Sequence, residues 1–349
     1  MTSTAETPID ATLIGTVPAT GFVTPLAGRR LAVRTDEALE FHDAETFLSG
    51  TLAPLRTLRL PSHAAAAPLH DGAVVAEGSR IRAISADGAT RWELPHARWH
   101  GGFQDPRPPG PPAVSPDGSL VSVLVPTLAT GKSDAMLISD DPQRPSYQRD
   151  TLLLLDAESG AVRARRPIGG VTSDLTQRWH PDGSLLALSC WTAWYSWSTW
   201  WIEPRRDGLH IRGGTTMREV IDFLPGASRV LTLRRAELIA HNDDRDELAS
   251  HDVAADEPAA LYDLGKLGIN RGNDEFDAAI LLDDRHLLVT GRVYPPGRPG
   301  LTRHWLCDAG TLRPLGRVRY PAPVGRVTPL GDGSWLTQGT DGLHHWALP

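Results

Sequence analysis

A five-residue string, Pro-Asp-Gly-Ser-Leu, occurs twice in this chain and constrains its fold more than any other feature. The copies span 116–120 and 181–185, and a largely apolar run follows each of them. Proline fixes its own φ and the Asp-Gly pair accepts positive φ, so the string favours a tight turn between two strands. The chain is therefore predicted to be built from repeated hairpins.

Looser copies of this turn bring the total to seven. They lie at 26–32, 69–75, 224–230, 282–288 and 330–336. A second Asp/Gly turn follows several of them, as at 85–88, 156–160, 206–208 and 308–310. Each unit then reads as four strands, and a period of about 45–50 residues is typical of a β-propeller blade. The 33 glycines and 29 prolines agree with so many turns and argue against a mainly helical protein.

On its Ser-Pro-Asp-Gly hairpin, residues 115–118, the chain resembles propellers of the WD-repeat and TolB-like type. The resemblance extends over nearly the whole chain. It implies an all-β fold, a seven-bladed β-propeller with four antiparallel strands in each blade. A Trp-Asp dipeptide does not end each blade, so the strict WD subclass is not implied. Because propellers serve many functions, the resemblance implies an architecture and no activity.

The repeats predict one propeller domain over residues 1–349. Its last unit has only three strands, at 325–330, 334–338 and 342–348. The segment 11–17 has the character of an outer strand, so it is predicted to complete the last blade and remove the open sheet edges. The predicted blades cover 18–61, 62–95, 110–168, 175–214, 218–253, 276–321 and 324–349.

Composition excludes several classes of protein. The formal net charge is −7 and no basic run is present, which disfavours a nucleic-acid-binding surface. No apolar run approaches the roughly 18 residues of a membrane helix, and residues 1–10 lack a signal-peptide pattern. The two cysteines, Cys190 and Cys307, fit a reduced compartment and no metal-ligand spacing. A soluble cytoplasmic protein is the expectation.

The long insertions fall into two classes of loop. One class joins second to third strands, at 126–150, 191–198 and 292–303, and the other joins blades, at 95–111, 169–176 and 254–276. In a propeller both classes emerge on one face, called the loop face below. The two turns of each blade emerge on the opposite face, called the turn face, and are expected to be short. Since long loops are often functional, the loop face is predicted to bind a ligand or partner. Neutral drift of tolerated insertions is the alternative.

The first residues of the inner strands are predicted to surround the axial channel. They include His63, Gln177, Arg178, Glu219, Asp274, Asp277 and Arg326. Convergent polar groups at such a position form a default ligand site. They also solvate the channel by holding ordered water, and both interpretations stay open.

Five tryptophans and one tyrosine crowd into residues 191–201. Trp200 and Trp201 are assigned to a third strand, where they fill the core. Trp194, Tyr195 and Trp197 are predicted to lie at the loop tip. Exposed aromatics there would anchor a partner or stack on a planar ligand, and packing is the competing interpretation.

Three further segments complete the candidate residues. Trp99 and His100 belong to a Pro/Gly-rich stretch that serves either as a flap over the channel mouth or as a linker. Tyr294 lies in the 292–303 loop. Asn273 and Asp274 belong to an oxygen-rich stretch that would ligate calcium or magnesium, as in lactonase-like propellers, or form an Asx-rich turn. No cofactor is predicted.

These observations favour a non-catalytic propeller that binds a protein or peptide through its loop face. The common nucleophile, metalloprotease and phosphate-binding motifs are absent from the sequence. The alternative is a lactonase, hydrolase or lyase that uses His100, Arg178, Glu219, Asp274 or Asp277 at the axial mouth, with a divalent metal in one version. A carbohydrate- or cofactor-binding propeller is the third hypothesis.

Overall fold

A computed structural model gives the fold, and nearly all of its regular structure is β-strand. The structure describes residues 7–61, 64–96, 110–126, 150–168, 174–191, 197–206, 208–214, 218–224, 228–234, 246–267, 275–294 and 300–349. Within these ranges the helical elements are one short α-helix and one 3-10 turn.

The described residues form seven sheets of four antiparallel strands, one of which carries a fifth strand. Two strands come first, the two-residue β1 (Ile9–Asp10) and the six-residue β2 (Thr12–Val17). The remaining strands follow sheet by sheet: β3 (Phe22–Leu26), β4 (Arg30–Arg34), β5 (Ala38–Asp43) and β6 (Arg56–Arg59); β7 (Ala65–Leu69), β8 (Gly72–Ala76), β9 (Arg80–Ser85) and β10 (Thr90–Pro95); β11 (Ala113–Val114), β12 (Leu120–Val125), β13 (Thr151–Asp156) and β14 (Val162–Pro167); β15 (Asp174–Trp179), β16 (Leu186–Trp191), β17 (Trp197–Arg205) and β18 (Gly208–Gly213); β19 (Glu219–Phe223), β20 (Arg229–Arg234), β21 (Glu247–Asp252) and β22 (Glu257–Asp263); β23 (Glu275–Leu281), β24 (His286–Val293), β25 (Leu301–Asp308) and β26 (Pro314–Arg319); β27 (Val327–Pro329), β28 (Trp335–Gln338) and β29 (Leu343–Ala347).

These sheets are the blades of a seven-bladed β-propeller, so the predicted fold class is confirmed. In each sheet the next strands in chain order follow from one edge strand, which is β3, β7, β11, β15, β19, β23 or β27. We call it the inner strand, in keeping with the blade architecture of propellers.

The last blade takes its fourth strand from the beginning of the chain. β2 pairs antiparallel with β29, with Thr12 opposite Ala347 and Val17 opposite Leu343. Val17 is fully buried, which ties the pairing to the apolar core. The predicted closure by residues 11–17 is therefore confirmed.

β1 adds a feature that the repeats did not predict. It pairs in parallel with β26 as a fifth strand of the sixth sheet, with Ile9 opposite Val318. Arg319 donates from Nε and Nη2 to the two carboxylate oxygens of Asp10, both at 2.8 Å. This two-pronged hydrogen bond holds the short strand in register.

The Pro-Asp-Gly-Ser strings form the predicted turns, and their aspartate side chains hold them. Asp117 Oδ1 accepts hydrogen bonds from Ser115 Oγ at 2.6 Å and from the amide of Ser119 at 3.1 Å. Gly118 has φ of 74°, in the region that favours glycine. These hydrogen bonds lower the pKa of Asp117, led by the one from Ser115. The turn is a local Asx structure that its own residues specify.

Two connections differ from the sequence-based expectation. The turn after β5 is not short, because a helix, α1 (Ala44–Leu48), lies in it with Asp43 as its N-cap. Asp43 Oδ1 accepts from the amide of Thr46 at 3.0 Å, and Phe47 is buried. The segment 254–276, predicted to join blades, contains β22, the fourth strand of the fifth blade. Asp256 takes the positive φ of 56° at this turn, so no glycine marks it in the sequence.

The chain divides into two compact units. The first comprises residues 1–35, 40–57 and 224–349, and the second comprises 36–39 and 58–223. One cluster of the first unit packs Val17, Phe47 and Leu336, and another is built around Trp335 and Trp346. The second unit has its own clusters, which contain Leu153, Leu155, Leu186 and Ile202 among others. Each unit thus buries substantial apolar surface of its own.

Candidate functional site

Gln177 lies on the inner strand β15 and reaches the preceding blade. Its Oε1 accepts a hydrogen bond from Ser122 Oγ at 2.7 Å, and its Nε2 donates to the carbonyl of Pro111 at 2.8 Å. The side chain is buried. Gln177 therefore links neighbouring sheets of the second unit, and both polar atoms of its side chain make hydrogen bonds in this link.

The alternation along β15 sends Thr176 and Arg178 the other way, toward β19. Thr176 Oγ1 donates to Glu219 Oε1 at 3.1 Å. Arg178 donates from Nε to the carbonyl of Ile221 at 2.9 Å and from Nη1 to the carbonyl of Gln177 at 3.0 Å. The structure thus brings together two of the predicted axial residues, Arg178 and Glu219, on adjacent inner strands.

Asp222 belongs to the same place and was missed by sequence reasoning. The residue as a whole is exposed, but crowding of its carboxyl by protein atoms raises the pKa of Asp222, and the Arg178 charge and the hydrogen bond from the Phe223 amide oppose that rise. Along β19, Asp222 occupies the same side of the strand as the fully buried Val220, and Glu219 occupies the other side.

A second group of candidate residues lies in the first unit, at the loop-face ends of the sheets. Phe22 begins the inner strand β3, and its side chain is 56% exposed. Arg326, immediately before the inner strand β27, stacks over it with Cζ 4.6 Å from the centre of the phenyl ring. A guanidinium over an aromatic face is held by cation–π attraction. Arg326 was a predicted axial residue, whereas its aromatic partner was not foreseen.

Tyr294 follows the end of β24 and is 39% exposed. Arg292 donates from Nη1 to its hydroxyl oxygen at 3.3 Å. The ring also lies against Gly300, where the Cβ atom of any larger residue would come within 2.8 Å of Tyr294 Cε1. Tyr294 is therefore positioned by an arginine on one side and by a close backbone approach on the other.

The structure corrects the placement of Trp197. It is the first residue of β17, opposite Trp191, and is only 7% exposed. Trp197, Thr199 and Trp201 share one side of the strand, and all three are buried. The prediction that Trp197 lies at an exposed loop tip is wrong, because the strand begins earlier in the aromatic run than expected. Trp201 fills the core as predicted.

The other candidates fall outside the described residues. These are His63, Trp99, His100, Trp194, Tyr195, Asn273 and Asp274, together with the side chain of Asp277, whose backbone lies in β23. Within the described ranges, no group of three or more histidine, cysteine, aspartate or glutamate side chains is arranged to hold a metal ion. Among those same residues, no helix is long and apolar enough to span a bilayer.

The fold is shared with solved propellers. The WD40 domain of Toxoplasma gondii coronin matches with a TM-score of 0.56 and 14% identity over 99% of this chain and 85% of that one. BamB from Moraxella catarrhalis matches with a TM-score of 0.53 and 12% identity over 94% and 85%. A prolyl endopeptidase structure matches with a TM-score of 0.57 and 12% identity over 97% of this chain, which spans 51% of that longer chain.

These likenesses are likenesses of fold. They confirm the resemblance to WD-repeat-type propellers at that level, and at such identities they say nothing about activity. No family model matches the chain. No curated protein sequence matches it either.

Proposed function

We propose that this protein is a non-catalytic propeller that binds a protein or peptide partner through its loop face. The observation that carries the proposal is the pair of arginine-held aromatics at the loop-face ends of the first unit, Phe22 with Arg326 and Tyr294 with Arg292.

The exposure of Phe22 supports this proposal because the other phenylalanines in the described part of the chain are buried. Phe41, Phe47, Phe223 and Phe276 are each at most 5% exposed, whereas more than half of Phe22 faces solvent. Leaving a phenyl group in water forgoes the free energy gained by burying it, about 2 kcal/mol. A partner that covers the ring would recover this free energy.

The arginines add a reason for specificity. Aromatic residues and arginine are the side chains most enriched among binding hot spots, because both offer large flat surfaces with little conformational freedom to lose. The two pairs present apolar faces beside fixed positive charge. The partner segment that suits them carries an apolar side chain close to a carboxylate.

A random linear peptide library displayed on phage tests the proposal. The protein should enrich a set of peptides, and the double variant Phe22→Ala/Tyr294→Ala should bind them at least tenfold more weakly. Leu55→Ala is the matched control, since Leu55 is 66% exposed and lies in the connection between β5 and β6 on the turn face. Its peptide affinity should equal that of the wild type.

Failure to enrich any peptide, or equal affinities for the double variant and the wild type, would reject this surface. Trp194 and Tyr195 remain predicted anchors of the same face. Their replacement by alanine in a separate variant measures their share of the affinity.

One observation favours the alternative, a propeller enzyme of lactonase, hydrolase or lyase type. Arg178 and Glu219 lie on adjacent inner strands, and Arg178 donates to the carbonyl of Ile221, the residue before Asp222. A carboxyl group with a raised pKa beside an arginine is the kind of pair that general acid–base catalysis uses. Loss of turnover of a substrate in an Asp222→Asn variant would support this alternative over partner binding alone.

A further inference from the structure

Phe22 and Arg326 each follow a glycine, at or just before the start of an inner strand of the first unit. A Cβ atom on Gly21 would lie 2.6 Å from a carbonyl oxygen of β4, and one on Gly325 would lie 3.0 Å from a carbonyl oxygen of β28. Each glycine thus lets the backbone approach the neighbouring strand closely. The two side chains are therefore presented from backbone that is packed against its own blade.

The backbone of Arg326 is also held by hydrogen bonds. The Gly325 amide donates to the carbonyl of Gln338 at 2.8 Å, and the Gln338 amide donates to the carbonyl of Arg326 at 3.2 Å. The guanidinium group then stacks on Phe22, with Cζ 4.6 Å from the ring centre. Stacking engages the flat face of a guanidinium group, whereas its N–H donors lie in the plane, at the edge. Stacking on Phe22 is therefore compatible with binding an anion at that edge.

A second arginine, Arg34, lies directly opposite Phe22, on β4. Directly opposite residues of antiparallel strands share one side of the sheet, with Cβ atoms about 5 Å apart. Arg34 donates from Nη1 to the carbonyl of Thr35 at 2.5 Å, which holds its head group near the end of β4. Phe22 therefore has one arginine stacked on its ring and another across the strand.

The short distance between charge and ring favours one kind of anionic segment. Since Arg326 Cζ is 4.6 Å from the centre of the Phe22 ring, a fitting ligand carries its carboxylate close to its apolar group. Side chains on one side of an extended peptide recur every two residues, about 7 Å apart. The last residue of a peptide, in contrast, carries its side chain and its terminal carboxylate on the same Cα atom. A C-terminal residue thus offers both groups at the closer spacing.

We propose that Phe22, Arg34 and Arg326 bind the free C-terminus of the partner protein, and this inference rests on the proposed function. The terminal carboxylate binds the arginines, whose donors match its two oxygens. The apolar side chain of the last residue covers Phe22, which is 56% exposed. A partner is thereby recognised by its end rather than by an internal segment.

Saturation-transfer NMR on the full chain at low salt tests this with three N-acetylated peptides. The first is Gly-Ser-Gly-Ser-Leu with a free C-terminal carboxylate, and the second is the same peptide as a C-terminal amide. The free acid should bind at least about tenfold more tightly than the amide, because only the acid forms charge-assisted hydrogen bonds. The third peptide has two further glycines after the leucine and should bind as weakly as the amide. Equal affinities, or no binding by any of the three, would overturn the proposal.

The variants Arg34→Gln and Arg326→Gln each remove one positive charge. Each should lower the affinity for the free acid toward that of the amide and leave the affinity for the amide unchanged. The matched control is Arg317→Gln, which removes an exposed arginine from β26 in the same unit and should keep the full preference for the acid. A preference for the acid that survives in both Arg34→Gln and Arg326→Gln would reject these residues as its source.

Two phage libraries distinguish failure of this inference from failure of the proposed function. In one the random segment ends the displayed chain with a free C-terminus, and in the other a linker follows the same segment. Enrichment confined to the first library supports recognition of a C-terminus. Equal enrichment in both libraries, or enrichment only in the second, would leave the proposed function standing and overturn this inference. Enrichment in neither would overturn both.

Discussion

Asp117 and Asp222 are both exposed residues of the second unit, and their surroundings shift the pKa values of their carboxyl groups in opposite directions. Asp117 caps a turn, accepts hydrogen bonds from Ser115 and Ser119, and has a lowered pKa. Asp222 stands on an inner strand with a single backbone donor and a pKa raised by desolvation. The first carboxylate is stabilised by its neighbours in sequence, and the second is destabilised by packing.

The same contrast separates the turns from the inner-strand cluster in general. Asp182, Asp308 and Asp332 repeat the pattern of Asp117, each accepting from a serine or threonine and from its backbone amide. Polar groups at the turns thus contribute to folding. Polar groups held against their electrostatic preference are a mark of functional sites, which is why Asp222 is informative.

Deletion of residues 1–18 should produce the largest loss of stability, because it removes a strand pairing that serves only the fold. The last blade loses β2, and the core loses Val17. The melting temperature should fall by at least about 10 °C, or cooperative unfolding should disappear. Calorimetry measures this, and an unchanged melting temperature would show that the pairing of β2 with β29 is dispensable.

Much of the fold was predictable because its signals are local. The Pro-Asp-Gly-Ser turns specify their own hairpins, and a last unit with three strands requires a fourth from elsewhere. β22 was missed because Asp256 takes the positive φ that the other turns assign to glycine. The five-residue helix α1 was missed because one turn of helix has too few residues for a periodic pattern.

The site was only partly predictable because its geometry arises between sheets. Arg178 and Glu219 were foreseen from their positions near the start of inner strands. The burial that raises the pKa of Asp222 exists only once neighbouring strands have packed, and nothing within residues 219–223 specifies that packing. Trp197 was misplaced for a related reason, since an aromatic run does not itself say where the strand begins.

A buried histidine should give the next largest effect, as a dependence of stability on pH. His304 Nδ1 and the Tyr320 hydroxyl share a hydrogen bond of 2.7 Å, and that hydroxyl also accepts from Trp335 Nε1 at 3.2 Å. Burial lowers the pKa of His304 to about 4. The unfolded chain therefore takes up a proton near pH 6.5 and the folded chain does not, so stability is complete above pH 6.5 and declines as the pH falls toward 4.

This contribution amounts to about 3 kcal/mol across that interval. Urea unfolding between pH 7 and pH 4 should show a shallower decline in the His304→Asn variant than in the wild type, whatever the variant's stability at pH 7. Identical slopes would mean that His304 is not held neutral in the folded protein. Carboxylates that titrate in the same interval act on both proteins and cancel in the comparison.

A smaller loss is expected when the charge is removed from a turn. Asp117→Asn keeps the size of the side chain but weakens the acceptor for Ser115 and Ser119. Stability at pH 7 should fall by about 1 kcal/mol, as for the loss of a capping hydrogen bond. Because the pKa of Asp117 is lowered in the folded state, this difference should shrink as the pH falls below 3.8.

The smallest effect, and the one of opposite sign, is expected for Asp222→Asn. A folded-state pKa raised by desolvation means that the ionised carboxyl opposes folding once the pH exceeds its unfolded value of 3.8. An amide of the same shape removes that penalty, so stability at pH 7 should rise by about 0.5 kcal/mol. Urea unfolding of Asp117→Asn and Asp222→Asn side by side, at pH 7 and pH 4, measures both signs with one chemical change. If both variants lost stability at pH 7, the ionised Asp222 would stabilise the fold as the turn aspartates do. The contrast between the inner strand and the turns would then be wrong.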